Sequence, residues 1–424
     1  MSSVFLRASW SGLLLAGVVM AQAGKDELQE RINRALDQAR PALLFHLRDV
    51  VAASGRCGEV GLLCLAALHD GLDPAEPPLA DALQFLLRFD SKPLETYDLA
   101  LRLLVLEVWG AAPDRDKIAK ADAKELLAHR ADGGFGYIAN GGRADLSNTQ
   151  YAALGLRAAR SMGVSIERKV WTSLLDDVVK AQTSYGGFSY TDRREQEPYA
   201  SMTVAGIAVL AICQQALGEQ ARGATLAGKH IARGWQWMDK NLKDIGDRMT
   251  RWSYYFHYGL ERAAILTDVE EVGRENWYRR GAKMLVDDQL NGGGWRSPQL
   301  GARPDAGQGR GDAVSTSFAV LFLRRKFQKV AGPLTLRSVT LLQLDQQSSD
   351  VDVTSCAEGL VKRGKSAMPD VLKALSGEML TRRRAAGMAL KALVGDDFGF
   401  DYRQDAAHNR TAIAKAELWH LKNQ

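Results

Sequence analysis

The stretch Asp132-Gly-Gly-Phe-Gly-Tyr137 decides the fold, because its Gly-Gly-aromatic turn returns twice further along the chain. The other copies are Gly186-Gly-Phe188 and Gly293-Gly-Trp295. Phe188 follows Phe135 by 53 positions, and Trp295 follows Phe188 by 107 positions, which is close to two further periods. A fixed period of this size predicts a repeat architecture with one supersecondary unit in each repeat.

Each turn is predicted to connect an amphipathic helix to an apolar one. Glycine takes the positive φ that a reversing chain needs, so each glycine pair is predicted at the end of a helix. Apolar helices, which are typical of segments packed on nearly every side, are predicted at 59–68, 96–108, 148–159, 201–213, 254–266 and 314–325. Amphipathic helices alternate with them, for example at 81–88, 116–129, 166–181, 228–241 and 276–289.

This alternation predicts an all-α fold with almost no sheet, since no segment shows sustained period-two alternation. Six helices of each kind favour an α/α toroid, in which six hairpins form an inner ring of buried helices inside an outer ring. The segment 26–53 is predicted to be helical and to be divided in two by Pro41.

The N-terminus has the pattern of a cleaved secretory signal. Arg7 supplies the positive charge, 10–20 is an apolar segment, and Ala21-Gln-Ala23 is an A-x-A cleavage site. The predicted domains are therefore a signal peptide at 1–23, the toroid at 24–340 and a helical module at 341–424. We expect export to the periplasm or cell envelope as a soluble protein, where four cysteines are too few for a disulfide framework.

The charge balance argues against a nucleic-acid partner. The 424 residues include 55 basic and 50 acidic ones, with a net charge of +5 and no long basic block. Arg382-Arg383-Arg384 is the densest basic cluster, and it is interpreted as a solvated helix face, with a phosphate or lipid-headgroup patch as the alternative.

The last part of the chain is predicted to contain a short helix pair at 366–377 and 380–394, followed by a final helix at 409–422. Phe398-Gly-Phe-Asp401 lies before that final helix, which carries Trp419. Over about 70 residues this segment resembles bacterial HEAT-repeat proteins. Such modules commonly offer a surface to a protein partner, so the resemblance implies one here.

The main domain, from about 50 to 330, resembles the prenyltransferase and squalene-oxidase repeat of the terpenoid-cyclase and protein-prenyltransferase superfamily, and squalene-cyclase-like bacterial repeat proteins in particular. The matching stretches are Glu95-Thr-Tyr-Asp98, Ser147-Asn-Thr-Gln-Tyr151, Trp252-Ser-Tyr-Tyr255, Tyr258-Gly-Leu-Glu-Arg262 and Trp277-Tyr-Arg-Arg-Gly281. The resemblance implies the toroid fold, and it says little about activity because one scaffold carries unrelated functions.

The catalytic signatures of that superfamily are incomplete in this chain. Cyclases use a D-x-D-D acid, whereas the nearest match, Asp350-Val-Asp-Val353, has valine at the last position. We interpret it as a loop in which Asp352 or Thr354 caps the next helix. Prenyltransferases hold zinc with an Asp-x-Cys pair, which corresponds here to Asp312-Ala-Val314, so we expect no catalytic zinc and no cofactor.

Polar residues near the starts of the apolar helices are the candidate site. One interpretation is that Asp145, Asn148, Ser201 and Asp312 are N-caps. The alternative is that Asp98, Asp145, Glu197 and Asp312 converge in one funnel, where neighbouring carboxylates would raise one another's pKa and serve as acid and base. His257 is a further catalytic candidate, although a lone histidine is more often a packing residue.

Aromatic and amide side chains complete the set of candidates. They line either the core or a cavity for an isoprenoid chain or a sugar ring, because aromatic faces stack on rings and stabilise cations. The candidate ligand-binding residues are Trp252, Tyr254, Tyr255, Tyr258, Tyr199, Asn148 and Gln150.

The sequence thus predicts an exported toroid that binds a ligand or acts as a scaffold. A lipid, isoprenoid or glycan in the central cavity, and a protein on the C-terminal module, are the expected partners. The alternative is an enzyme of terpenoid or carbohydrate chemistry, a cyclase, hydrolase or lyase, that uses the funnel carboxylates.

Overall fold

The computed structural model describes residues 9–53, 55–139, 142–191, 197–218, 222–241, 253–297, 309–325, 341, 344 and 350–423, with side chains from residue 27 onward except at a few positions in helices. These residues are predominantly helical, which confirms the all-α class. Two short antiparallel hairpins pair Arg130–Ala131 (β1) with Gly134–Phe135 (β2) and Glu271–Val272 (β3) with Glu275–Asn276 (β4).

The chain divides into two compact units. The first comprises Met1–Ala159 and Val164–Pro333, and the second comprises Arg160–Gly163 and Leu334–Gln424. The described helices of the first unit are α1 (Ser9–Ala52), α2 (Cys57–Asp70), α3 (Pro77–Leu87), α4 (Thr96–Trp109), α5 (Arg115–Ala128), α6 (Leu146–Ser161), α7 (Arg168–Ala181), α8 (Ala200–Leu217), α9 (Arg222–Asn241), α10 (Ser253–Thr267), α11 (Trp277–Asp287) and α12 (Ala313–Arg324).

The even-numbered helices of the first unit form its core. In α8, 16 of the 18 residues are buried, because the helix is apolar on all sides apart from Ser201 and Thr203 in its first turn and Gln214 and Gln215 near its end. Its composition and length would also suit a membrane span, but 89% of it is buried inside the protein. The odd-numbered helices bury one face only; α7, for example, buries Trp171, Leu174, Leu175 and Val178.

Contacts between the even-numbered helices connect the two ends of the series. Helix α2 packs on α4, α8 packs on α10, α10 packs on α12, and α12 packs on α2. Gly155 of α6 lies so close to α4 that an added Cβ would be 2.8 Å from Ala100 Cα. Helix α1 packs on α2, α3, α11 and α12.

Pro41 does not divide the first helix, contrary to the prediction, because α1 is one helix of 44 residues with Pro41 inside it. Helix-breaking by proline is a local preference that costs about 3 kcal/mol. Here Ala39, Ala42 and Leu43 around the proline are fully buried, and this packing offsets the lost backbone hydrogen bond.

The glycine turns take the expected positive φ but lie several residues beyond the helix ends. Helix α5 ends at Ala128, and the glycines stand in the hairpin that follows, with φ of 84° at Gly133 and 148° at Gly134. A Cβ at Gly134 would lie 2.3 Å from Thr149 Oγ1, so the hairpin packs on α6 only when this residue is glycine.

The second unit contains α13 (Asp350–Lys362), a short 3₁₀ turn (Gly364–Ala367), α14 (Met368–Leu375), α15 (Leu380–Val394) and α16 (Arg410–Lys422). Asp350 begins α13, so Asp350–Val353 forms the first turn of a helix and not the predicted loop. Arg383 is buried and donates to the carbonyls of Gly377, Glu378 and Tyr402, which corrects the prediction of a fully solvated arginine face.

Candidate functional site

A cluster of five aromatic rings joins four even-numbered helices of the first unit. It consists of Tyr97 on α4, Tyr151 on α6, Tyr255 and Tyr258 on α10, and Phe318 on α12, and we call it the aromatic cluster. Ring centroids are 4.7 Å apart for Tyr97 and Tyr151, 6.3 Å for Tyr151 and Tyr258, and 5.0 Å for Tyr258 and Phe318. Aromatic pairs in offset or tilted arrangements prefer centroid distances in this range.

The hydroxyls at one side of the cluster form a chain of hydrogen bonds, which we call the hydroxyl relay. Tyr97 Oη donates to Ser147 Oγ at 2.7 Å, Ser147 Oγ lies 2.9 Å from Tyr255 Oη, and Tyr255 Oη donates to Gln150 Oε1 at 2.7 Å. Burial raises the pKa of both Tyr97 and Tyr255, so both hydroxyls stay protonated and remain donors at neutral pH.

Gln150 ends this relay, and only the oxygen of its side-chain amide takes part in it. Its side chain is fully buried, and Nε2 has no hydrogen-bond partner among the described residues. A buried amide without a partner costs about 1–3 kcal/mol, so such groups commonly mark a place for a water molecule or a ligand. Nε2 faces Gly259 of α10, where an added Cβ would still lie 3.5 Å away.

Beside the relay, Asp145 caps the N-terminus of α6. Its Oδ1 accepts from Asn148 N at 2.8 Å, and its Oδ2 accepts from Asn148 Nδ2 at 2.7 Å. Burial raises the pKa of Asp145, while hydrogen bonds from Asn148 and the Tyr190 hydroxyl oppose that shift. Tyr190 Oη lies 3.3 Å from Tyr137 Oη, which extends the polar network to the surface.

The other candidate carboxylates have different surroundings. Asp98 Oδ1 accepts from Gly58 N at 2.6 Å and its Oδ2 accepts from Glu95 N at 3.0 Å, so it joins the starts of α2 and α4. Asp312 caps α12 by accepting from Ser315 N at 2.7 Å, and it also accepts from Ser297 N at 3.1 Å. Glu197 is exposed.

The remaining candidates belong either to the aromatic cluster and its relay or to the packing around them. Tyr255 and Tyr258 are part of the aromatic cluster, and Gln150 is part of the hydroxyl relay. Tyr254 is buried and donates to Arg296 O at 3.4 Å. His257 is buried, its Nδ1 lies 2.8 Å from Ser253 O, and its ring packs edge-on against Phe322. Trp252 lies outside the described residues.

A buried ion pair lies behind the cluster. The Arg262 guanidinium lies 4.1 Å from the centroid of the Tyr258 ring and pairs with Glu261. Burial opposes the charge of Arg262, but Glu261 and Tyr258 outweigh it and raise the pKa of Arg262. A cation held on the ring face stabilises the position of Tyr258 in the cluster.

Three threonines that the sequence did not single out tie the glycine turns to the even-numbered helices. Phe135 N donates to Thr149 Oγ1 at 3.0 Å, Phe188 N to Thr203 Oγ1 at 3.1 Å, and Trp295 N to Thr316 Oγ1 at 3.1 Å. We call Thr149, Thr203 and Thr316 the threonine latch. Each stands four residues after its helix N-cap, at Asp145, Tyr199 and Asp312, and this shared spacing is the signal that could have revealed them.

The hydrogen bonds of Asp98 and Asp312 are typical of capping residues, because both carboxylates accept from backbone N–H groups at helix starts. Among the described residues, no group of three or more His, Cys, Asp or Glu side chains is placed to hold a metal ion.

Comparison with protein-family models gives no match for this chain, and comparison with curated proteins gives no significant match.

Proposed function

We propose that the first unit is an α/α toroid that binds a ligand at the aromatic cluster without transforming it. The even-numbered helices α2 to α12 would form the inner ring and the odd-numbered helices the outer ring. The packing of α12 on α2, and of α1 on α11 and α12, supports this closure. The second unit would be a HEAT-like module that binds a protein partner, and the chain would act in the cell envelope after loss of residues 1–23.

The observation that carries the ligand-binding proposal is the incomplete hydroxyl relay. Protein cores are close-packed with apolar side chains, and their buried polar groups are nearly all paired. Here a tyrosine–serine–tyrosine chain leads instead to a fully buried Gln150 with an unused amide nitrogen. A few convergent polar groups within an aromatic lining are typical of a small-molecule site.

An enzyme of terpenoid or carbohydrate chemistry is the second candidate. The raised pKa of Asp145 favours it, because a carboxyl group shifted in that direction is a better general acid near neutral pH. Against it, both oxygens of Asp145 already accept hydrogen bonds from Asn148, as expected of a cap.

Native mass spectrometry of protein purified from the cell-envelope fraction tests the proposal. We expect the wild type and Asp145→Asn to retain the same small molecule at constant mass during incubation, and Gln150→Leu to lose most of it. Conversion of that molecule by the wild type but not by Asp145→Asn would establish the enzyme instead. A wild-type protein that carries no ligand would contradict ligand binding. The N-terminal sequence of the same sample, expected to begin at Gly24, tests signal cleavage.

A further inference from the structure

Three tyrosines near the hydroxyl relay are exposed or half-buried. Tyr137 is 43% exposed and Tyr199 is 42% exposed, and Tyr190 is half-buried beside Asp145. We call Tyr137, Tyr190 and Tyr199 the tyrosine rim. A group of large aromatic side chains left open to solvent marks a binding surface more often than isolated exposed ones do.

Contacts join this rim to the buried relay in two places. The Tyr137 ring lies 5.9 Å from the Tyr97 ring, measured between centroids, and its hydroxyl contacts that of Tyr190. On the other side, Tyr199 is close enough to raise the pKa of Tyr255, after burial and Asp145. Ring and hydroxyl contacts therefore connect the exposed rim to the buried relay that ends at Gln150.

Two buried polar atoms beside the relay have no hydrogen-bond partner among the described residues. They are Nε2 of Gln150 and Oδ1 of Asn148, and both side chains are fully buried. An isoprenoid chain placed here would leave this donor and this acceptor unpaired, which is unfavourable. A ligand with its own hydroxyl groups would pair them.

We propose that the tyrosine rim and the hydroxyl relay bind a neutral carbohydrate. One face of a pyranose ring carries C–H groups that stack on an aromatic face such as Tyr137, while its hydroxyls bond to amides and carboxylates. Asp145 favours a neutral sugar over an acidic one, because a second negative charge near a buried carboxylate is repelled. This inference rests on the proposed ligand-binding function and names its ligand class.

Isothermal titration of the full chain with defined probes tests this proposal. The probes are pentasaccharides of glucose in α and β linkage and of N-acetylglucosamine, a galacturonic acid pentamer, and farnesol in detergent. We expect millimolar or tighter binding of at least one neutral pentasaccharide, and neither the acidic pentamer nor farnesol to compete with it. If none of the three neutral series binds, the carbohydrate proposal is wrong.

Substitutions at the rim separate ring stacking from other effects. Tyr137→Ala should weaken binding at least tenfold, whereas Tyr137→Phe, which keeps the ring, should bind within threefold of the wild type. Tyr185→Ala is the matched control, since Tyr185 is 76% exposed and makes no ring contact with the cluster among the described contacts. Equal affinity of Tyr137→Ala and the wild type would overturn the assignment to the rim.

The outcomes also distinguish this inference from the proposed function. Binding of farnesol that depends on Gln150, without binding of any sugar, would leave the ligand-binding function intact and overturn the carbohydrate class. If no probe binds and native mass spectrometry finds no ligand, both proposals are wrong.

Discussion

At the scale of single residues, Asp145 combines the role of a helix cap with the properties of a buried acid. As a helix cap it binds a free backbone N–H at the start of α6, and as a buried acid its pKa is raised. The two roles are separable, because asparagine is as good a cap as aspartate but does not ionise.

We expect Asp145→Asn to be as stable as the wild type or more stable at pH 7. Asn148 can turn its amide so that its unpaired Oδ1 accepts from the new amide nitrogen. Asp145→Ala should lose about 1 kcal/mol of unfolding free energy, the usual cost of a lost cap. Chemical denaturation of the three proteins measures this.

The difference in stability between Asp145→Asn and the wild type should depend on pH. A carboxyl group whose pKa is raised by folding stabilises the protein most below its unfolded pKa of about 3.9, and this stability is lost as the pH rises through the folded value. The stability that Asp145→Asn gains relative to the wild type should therefore be smaller at pH 3 than at pH 7. An advantage that grows in acid would show that the pKa of Asp145 is lowered instead.

At the scale of elements, the threonine latch fixes the position of each glycine turn on the next helix. Thr149 Oγ1 accepts from Phe135 N and donates to Asp145 O at 2.7 Å, so a single hydroxyl joins hairpin and helix. Phe135 is fully buried, and its N–H group would have no partner without the latch.

We expect Thr149→Val to lower the free energy of unfolding by about 2 kcal/mol, because it leaves a buried backbone N–H unpaired. Thr149→Ser keeps the hydroxyl and should lose less than half as much. Thr172→Val on the exposed face of α7 is the matched control, and it should leave the midpoint of urea denaturation nearly unchanged. Equal losses in the valine and serine variants would show that the methyl group, and not the hydrogen bond, matters.

At the scale of the first unit, Asp70 joins its first and last helices. The carboxylate is fully buried and pairs with Arg40 of α1 at 2.8 Å and with Arg324 of α12 at 2.6 Å. Arg31 and Asp287 form a second link between α1 and α11, at 2.5 Å. Arg324 is 254 positions from Asp70 and Arg31 is 256 positions from Asp287, so these two links form only when the whole unit is folded.

We expect Asp70→Asn to destabilise the protein by about 2 kcal/mol, because it weakens hydrogen bonds to two charged arginines that remain accessible to solvent. Hydrogen exchange should show faster exchange in both α1 and α12. Glu167→Gln, which breaks an exposed pair with Lys169, is the control and should change little. Faster exchange confined to α2 would argue against a link between the ends of the unit.

His46 anchors α1 to the segment before α12. Burial lowers the pKa of His46, opposed by its contact with Arg310 O at 3.1 Å and by the nearby Asp312 and Asp49. As the pH drops below about 6.5, His46 takes up a proton in the unfolded chain before it does so in the folded protein. The free energy of unfolding should therefore fall as the pH drops towards the lower folded pKa. His46→Gln should show a smaller loss of melting temperature between pH 7 and pH 5, whereas His408→Gln at an exposed position should behave as the wild type.

Much of the helical fold could be predicted from the sequence, because its signals are local. The apolar segments predicted at 96–108 and 201–213 are the helices Thr96–Trp109 and Ala200–Leu217. Their ends were missed by a few residues, since capping and fraying depend on neighbouring elements. The prediction that Pro41 divides the helix was wrong, because packing between distant segments outweighs the local cost of proline. No local sequence pattern reveals that packing.

The sequence predicted some residues of the candidate site but not which side chains meet there. Tyr255, Tyr258 and Gln150 were chosen from their aromatic or polar character near helix starts, but their partners Tyr97, Ser147 and Phe318 were not. Which side chains meet across four helices depends on the rotation of each helix about its axis and on how closely the helices approach. Those quantities are set by packing between distant segments.

The Gly-Gly-aromatic turn shows the same division. Its repeat in the sequence determined that helices alternate and where the chain reverses, because glycine conformation and helical periodicity act over a few residues. Folding decided that the aromatic residue after each turn is buried and held by a threonine 14 to 21 positions later. It also decided that the polar groups beyond the latch face one another, because only close packing in three dimensions brings residues from separate repeats within hydrogen-bonding distance.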